Sequence, residues 1–90
     1  MNAFIILDPA DMVGVALQDI DKGTTLKTSK GAVTLVEDVR RGHKFALQDI
    51  AQDEDIVKYG FPIGHATQPI AKGAWVHTHN VKTNLSGELE

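Results

Sequence analysis

Cysteine is absent from this sequence of 90 residues, and serine occurs only at Ser29 and Ser86. Without cysteine, a disulfide framework, a thiolate zinc site and a cysteine nucleophile are excluded. Neither serine has a histidine near it in the sequence, and the chain has no Gly-x-Ser-x-Gly motif and no glycine-rich phosphate-binding loop. Hydrolysis through a nucleophile of this chain alone therefore has no support.

Long apolar runs and a strong excess of one charge are also missing. The apolar run at 3–7 is too short to cross a bilayer, and no basic segment precedes it as in a signal peptide. A net charge of −3 gives a mildly acidic surface that attracts neither nucleic acid nor anionic lipid. We expect one cytoplasmic domain over 1–90 without a nucleic-acid or membrane partner. Its modest core would gain from a partner subunit, or from self-association in isolation.

An internal repeat organises the residues that are present. Similar segments begin at Ala16, Ala46 and Ala66, which are 30 and 20 residues apart, and each has an Ile followed three residues later by Gly or Asp. Gly adopts a positive φ freely and Asp more readily than most residues, so this spacing predicts a tight turn. An apolar or β-branched stretch follows each segment, which predicts a strand after each turn.

The remaining pattern favours short strands over helices. Apolar and β-branched runs predict strands at 4–7, 13–17, 32–36 and 44–47. No window of 11 or more residues has a clean 3.6-residue apolar period, which argues against long helices. We predict an all-β domain of short strands, with one or two single-turn helices at the repeat segments. The polar segment 84–90 is predicted to be a flexible tail.

Two polar clusters contain most of the candidate site residues. Arg40, Arg41, His43 and Lys44 crowd around one glycine, and such a cationic loop can hold a carboxylate or a phosphate. The alternative is a solvated turn facing the acidic residues at 37–38. In the second cluster, His77 and His79 are followed by Asn80. On a strand, residues i and i+2 share a face, so the two imidazoles could form half of a metal site or contact a substrate. The alternative is an exposed strand.

In the third cluster, residues 58–65, Gly60 and Gly64 bracket a predicted loop that contains an aromatic residue and a proline. Lys58 and Tyr59 can donate hydrogen bonds to an anionic oxygen. The structural alternative, which we favour, makes Tyr59 and Phe61 core or interface aromatics and Lys58 a surface charge. The acidic residues at 53–55 are interpreted as a solvated turn.

Residues 42–50, 57–66 and 76–80 together resemble, in order and spacing, the amino-terminal domain of the altronate and galactarate dehydratases. That domain belongs to the SAF group. The resemblance implies a β-clip fold and a cytoplasmic lyase that removes water from a sugar acid, giving a 2-keto-3-deoxy acid. It also implies a divalent metal, iron, held mainly by a partner chain.

The resemblance further implies roles for individual residues. His43 and Lys44 would face the substrate carboxylate or the subunit boundary, and Lys58 and Tyr59 would orient substrate hydroxyls. His77, His79 and Asn80 would lie at a cleft shared with a large catalytic subunit, where the two histidines are candidate metal ligands or catalytic residues. The base is expected on the partner, and no proton transfer is assigned to either histidine.

Because fused dehydratases of this family continue into a catalytic domain, we expect this chain to be a separate small subunit that is inactive alone. Three alternatives remain open. The chain could be the small subunit of the related sulfolactate sulfo-lyase, which expels sulfite where a dehydratase expels hydroxide. It could also be a non-catalytic carbohydrate-binding or assembly module, or a fragment of a fused dehydratase.

Overall fold

The computed structural model describes residues 3–83 and contains nine short strands in that range. They are β1 Phe4–Ile5, β2 Val13–Ala16, β3 Thr25–Thr28, β4 Gly31–Thr34, β5 Lys44–Ala46, β6 Asp55–Lys58, β7 Phe61–Ala66, β8 Trp75–Val76 and β9 Val81–Thr83. The all-β prediction is confirmed. The predicted single-turn helices are wrong, because residues 3–83 contain no helix and the repeat segments form turns and isolated bridges. The predicted tail at 84–90 lies outside the described residues.

The strands pair antiparallel in three groups. One sheet has the order β1-β2-β5-β8, a hairpin joins β3 to β4, and a third group has the order β6-β7-β9. The strands predicted at 13–17, 32–36 and 44–47 are present in slightly different bounds, whereas the opening strand has only two residues. Among the described residues, no helix is long and apolar enough to cross a membrane.

Each repeat segment forms a turn, which we call a turn unit, and the turn units lie in two pairs. Ile20 pairs with Val39 and Ile50 pairs with Ile70, each through an isolated antiparallel bridge. Both pairs exchange two backbone hydrogen bonds of 2.8–2.9 Å. The segment at 38–42 is therefore a fourth unit, which the sequence comparison missed because Val replaces Ile there. This pairing explains the uneven spacing of 30 and 20 residues.

Hydrogen bonds between paired units and positive backbone φ angles stabilise the turn units. A carboxylate in one unit accepts a backbone N–H from its paired unit: Asp19 from Arg41 at 2.9 Å, Asp38 from Lys22 at 2.8 Å and Asp49 from Lys72 at 2.8 Å. The residue three positions after each bridge residue has a positive φ: Gly23, Gly42, Asp53 and Gly73. The predicted tight turns are thus confirmed at 23, 53 and 73.

The core has two clusters, on opposite faces of β5. Phe45 and Leu47 point into one cluster and Ala46 into the other, as the two-residue period of a strand requires. Gly14 lies against the Phe45 ring, and a Cβ there would come within 2.8 Å of that ring. The same alternation on β5 and β8 decides which side chains reach the candidate site.

Candidate functional site

The predicted cationic cluster at 40–44 is divided by the alternation of β5. Lys44 pairs with Val76, and both side chains line a cleft on one face. Phe45 pairs with Trp75, and the His43 side chain lies with Trp75. The side chains of His43 and Lys44 therefore point to different sides of the sheet, although the two residues are adjacent in sequence. His43 contacts Trp75, and Lys44 lines the cleft.

Arg40 and Arg41 belong to the framework of the turn units. The Arg40 guanidinium lies 3.5 Å from the Asp19 carboxylate, and both side chains are exposed. The Arg41 backbone N–H donates to Asp19 and is the main reason that the pKa of Asp19 is lowered, with the Arg40 charge contributing. Of the acidic residues in the alternative interpretation, Glu37 accepts the backbone N–H of Trp75 at 3.0 Å and Asp38 accepts the backbone N–H of Lys22 at 2.8 Å.

Three histidines surround the single tryptophan and form what we call the imidazole cluster: His43, His77 and His79 around Trp75. The Trp75 Nε1–H donates to His43 Nδ1 at 3.0 Å. The His77 ring stacks on the indole with a centroid distance of 5.3 Å and an interplanar angle of 11°, and the His79 ring is centred 4.7 Å from it. The His43 and His77 rings are centred 5.1 Å apart.

The strand predicted for His77 and His79 is wrong, because β8 ends at Val76 and residues 77–80 form a turn. Asn80 closes this turn. Its Oδ1 accepts the His77 N–H at 3.0 Å, and its Nδ2 donates to the Trp75 carbonyl at 2.8 Å. Both histidines still reach the same indole because the turn folds back on β8. The Asn80 side chain is only 4% exposed and bonded to the main chain, and its predicted substrate contact remains a prediction.

A cleft of about 320 Å³ opens between β5, β7, the 77–80 turn and β9. Its lining is apolar at Ile63, Val76 and Val81 and polar at Lys44, His77, Thr78 and Thr83. Burial lowers the pKa of Lys44, and the positive charge of Lys58 lowers it further. Lys58 does not line the cleft itself, but its strand β6 pairs with β7, which contributes Ile63 to the lining.

The loop predicted between Gly60 and Gly64 is instead part of β7, which forms a hairpin with β6. Lys58 pairs with Phe61, and Tyr59 and Gly60 between them both have positive φ, which two-residue turns of type I′ require. Pro62 is accommodated in β7 because β9 pairs only with Gly64–Ala66, so no partner needs the N–H that proline lacks.

The tip of this hairpin is exposed to solvent. Tyr59 is 51% exposed and Phe61 is 69% exposed, so neither belongs to the core of this domain. The Lys58 ammonium lies 4.2 Å from the centroid of the Tyr59 ring, a cation–π contact. The interpretation of Tyr59 and Phe61 as core residues is therefore wrong. Their interpretation as interface residues remains a prediction.

Sequence reasoning missed two residues that shape this region. Trp75, the centre of the imidazole cluster, could have been noticed as the only tryptophan, two positions before His77. Asp11 has no such signal. Its carboxylate is 1% exposed and accepts the Gly60 N–H at 3.0 Å, across 49 positions of sequence.

The imidazole cluster does not complete a metal site by itself. Within residues 3–83, no group of three or more His, Asp or Glu side chains could hold a metal ion. His77 and His79 would fit a metal only as a minor part of its ligand set, with the other ligands supplied from outside these residues.

The fold and the cleft define a small all-β domain that presents two lysines and an imidazole cluster beside an exposed hairpin. A match to the altronate/galactarate dehydratase SAF domain covers residues 2–84, and the chain belongs to this family. It is 50% identical to the altronate dehydratase of Bacillus subtilis (strain 168) over 96% of the chain, and 51% identical to that of Escherichia coli (strain K12) over 92%.

A third relative differs in its length. The chain is 36% identical to the (2R)-sulfolactate sulfo-lyase subunit alpha of Chromohalobacter salexigens, over 89% of the chain and 93% of that subunit. By contrast, it spans only 17% of the length of each of the two altronate dehydratases. Sequence identity is therefore higher to the altronate dehydratases, whereas the match covers almost the full length of the sulfo-lyase subunit.

Proposed function

We propose that this chain is the SAF subunit of a cytoplasmic carbon–oxygen hydro-lyase that dehydrates a sugar acid such as altronate or galactarate. The product would be a 2-keto-3-deoxy acid, and a large catalytic subunit would share the active site. The observation that carries the substrate class is the identity of 50% and 51% to altronate dehydratases, against 36% to the sulfo-lyase subunit.

The cleft supports a role in binding an anionic polyol. Lys44 and Lys58 would hold the substrate carboxylate, with the apolar lining behind it. The Thr78 hydroxyl and the His77 imidazole at the rim are suited to hydrogen bonds with substrate hydroxyls. His43 would act through Trp75, because its Nδ1 accepts the indole N–H and is unavailable to a substrate.

In the proposed reaction, a base on the large subunit removes the proton next to the carboxylate while the neighbouring hydroxyl leaves. Negative charge then develops on the carboxylate oxygens as the enediolate forms. Lys44 would stabilise this charge because burial partly withdraws it from water, whereas Lys58 would help to hold the carboxylate in position. The role of this domain is therefore to bind and orient the acid and to stabilise the charge.

The metal belongs to the same proposal. A divalent cation, iron, would be held mainly by the large subunit, with His77 or His79 as minor ligands from this chain. When bound, such a cation would supply Lewis-acid stabilisation of the enediolate or the leaving hydroxyl.

The second candidate is the alpha subunit of a sulfolactate sulfo-lyase, which is favoured by the match over 93% of that relative's length. Its reaction also begins with proton removal next to a carboxylate, so the Lys44–Lys58 pair suits both substrates. The two candidates differ in the group expelled.

The experiment is an assay of the chain, purified gently with its large subunit, on altronate, galactarate and sulfolactate. We expect a 2-keto-3-deoxy acid from a sugar acid and no sulfite from sulfolactate. The chain purified alone, as a matched control, should give neither product. Sulfite release without dehydration would replace the proposed function with the second candidate, and turnover by the chain alone would contradict the shared site.

A further inference from the structure

Asp11 is a buried carboxylate that none of the turn units uses. It immediately precedes Met12 and β2, and its side chain is 1% exposed. A charged group is retained in such a place only when hydrogen bonds replace its contacts with water. The Asp11 Oδ1 accepts the backbone N–H of Gly60 at 3.0 Å, so this carboxylate reaches the turn of the β6–β7 hairpin.

The Gly60 N–H lies in a turn that needs external support. Tyr59 has a φ of 57° and Gly60 a φ of 74°. The left-handed region is unfavourable for a residue with a bulky side chain, so Tyr59 adopts it only where its surroundings hold it there. A second anchor lies beside the first, because the Met12 N–H donates to the Val57 carbonyl at 2.9 Å.

The conformation of this turn determines where Lys58 lies. The Tyr59 ring sits 4.2 Å from the Lys58 ammonium, so rotating the Tyr59 backbone would remove the surface on which that ammonium rests. Lys58 lies on β6, whose partner strand β7 contributes Ile63 to the cleft that Lys44 also lines, and the charge of Lys58 helps to lower the pKa of Lys44. Contacts thus lead from Asp11 through Gly60 and Tyr59 to Lys58, on the hairpin that borders the cleft.

We infer that Asp11 is a positioning residue for the substrate site: it holds the Tyr59–Gly60 turn so that Lys58 stays beside the cleft that Lys44 lines. The inference rests on the proposed function for its kinetic consequence, but its structural part can be tested separately. No feature of the sequence around Asp11 indicated this role, because the two partners are 49 positions apart.

The structural test uses amide and side-chain NMR on the full chain, which has one tyrosine. In Asp11→Ala, we expect the Gly60 amide signal to shift upfield and the Tyr59 ring to Lys58 side-chain NOE to be lost. Asp11→Asn should restore both, because its amide oxygen can still accept the bond. Asp38→Ala is the matched control: it removes a carboxylate bond to the Lys22 N–H and should leave both signals unchanged.

The kinetic test uses the chain with its large subunit and altronate as the probe. We expect Asp11→Ala to raise KM about fivefold with kcat within about twofold of wild type, as loss of one positioning hydrogen bond would give. Asp11→Asn should stay close to wild type. If Asp11→Ala does not fold, Gly60→Ala serves instead, since the N–H that Asp11 accepts belongs to Gly60 and its φ of 74° is unfavourable for alanine.

Unchanged Gly60 and Tyr59 signals in Asp11→Ala would overturn the inference, and so would an Asp11→Asn variant that behaves like Asp11→Ala. A fall in kcat with unchanged KM would also contradict it. If the wild-type complex does not dehydrate altronate or galactarate, the proposed function fails by that result alone, and the NMR signals still decide whether Asp11 holds the turn.

Discussion

The two halves of the internal repeat, residues 13–42 and 43–73, share a backbone framework but differ in the side chains it carries. In the first half, Gly23 and Leu35 frame the β3–β4 hairpin, with the Gly23 N–H donating to the Leu35 carbonyl at 2.8 Å. In the second half, the Asp53 N–H donates to the Ala66 carbonyl at 2.7 Å and frames the β6–β7 hairpin in the same way.

The candidate site takes its side chains from the second half and from residues 74–83 that follow it. Thirty positions before His43, Lys44, Lys58 and Tyr59, the first half has Val13, Gly14, Thr28 and Ser29. The small residue at 14 is needed because the Phe45 ring packs against it, so a lysine would not fit there. The repeated turns and bridges therefore build the scaffold, whereas the candidate site depends on side chains of the second half and of residues 74–83.

The largest expected effect compares two glycines in equivalent turns, Gly42 and Gly73. Both have positive φ, 84° and 88°, but a Cβ on Gly73 would collide with the Thr34 carbonyl, whereas nothing lies within 4 Å of one on Gly42. We expect Gly42→Ala to cost about 1 kcal/mol of unfolding free energy, for the backbone angle alone. Gly73→Ala should cost ~3 kcal/mol or more, because backbone must also move.

Urea unfolding of both variants measures this difference. Equal losses of stability would mean that the two turns are interchangeable and that the close approach of Gly73 to β4 has no energetic weight.

The next prediction concerns the imidazole cluster. The double variant His77→Ala with His79→Ala should lower dehydration by the complete enzyme about tenfold or more, as removal of residues that support a metal or substrate does. Circular dichroism should show an intact fold, since both side chains are exposed. His65→Ala, an imidazole on β7 outside the cluster, is the control. Unchanged turnover by a folded double variant would remove His77 and His79 from the site.

A smaller, pH-dependent effect should arise from Lys44. Because burial and Lys58 lower its pKa below the ordinary 10.5, Lys44 loses its proton in the folded chain before it would in the unfolded chain. In that alkaline window, the unfolded chain binds more protons, so the contribution of Lys44 to stability rises with pH. Substrate affinity should fall over the same window, because the neutral amine no longer attracts a carboxylate.

The measurement is KM for altronate from neutral to alkaline pH, together with urea unfolding over the same range. We expect KM to rise several-fold in the wild type and to stay nearly flat in Lys44→Arg, whose guanidinium remains charged. Parallel profiles for the two proteins would show that another group controls the binding of the acid.

The parts of this structure that sequence reasoning predicted are those with local causes. The turns at Gly23, Asp53 and Gly73 were predictable because a requirement for positive φ shows in the residue type. The strands were found where apolar and β-branched residues run together. β7 was missed because Pro62 and Gly64 resemble a loop until the limited pairing with β9 is known.

The remaining features depend on contacts between distant segments or on side-chain bonds to the backbone. His77 and His79 contact the same indole, but the strand predicted for them was wrong because the Asn80 side-chain amide bonds the main chain of a turn. His43 and Lys44 were grouped because they are adjacent in sequence, yet the His43 side chain contacts Trp75 and the Lys44 side chain lines the cleft. The bond from Asp11 to Gly60 joins segments that no local pattern relates.

The central claim is that the second half of the repeat, together with residues 74–83, completes a sugar-acid dehydratase. Its most direct test replaces two lysines at a time, either in the second half or in the first. The large subunit is purified without this chain and is then combined with one of three forms of it. These are the wild type, a Lys44→Met/Lys58→Thr variant and a Lys27→Met/Lys30→Thr variant, and KM for altronate is measured with each. We predict restored dehydration in all three, with KM raised about tenfold or more only when the second-half lysines are lost, because each is a charged partner of the carboxylate. An equal rise in both variants, or no rise in either, would contradict the account.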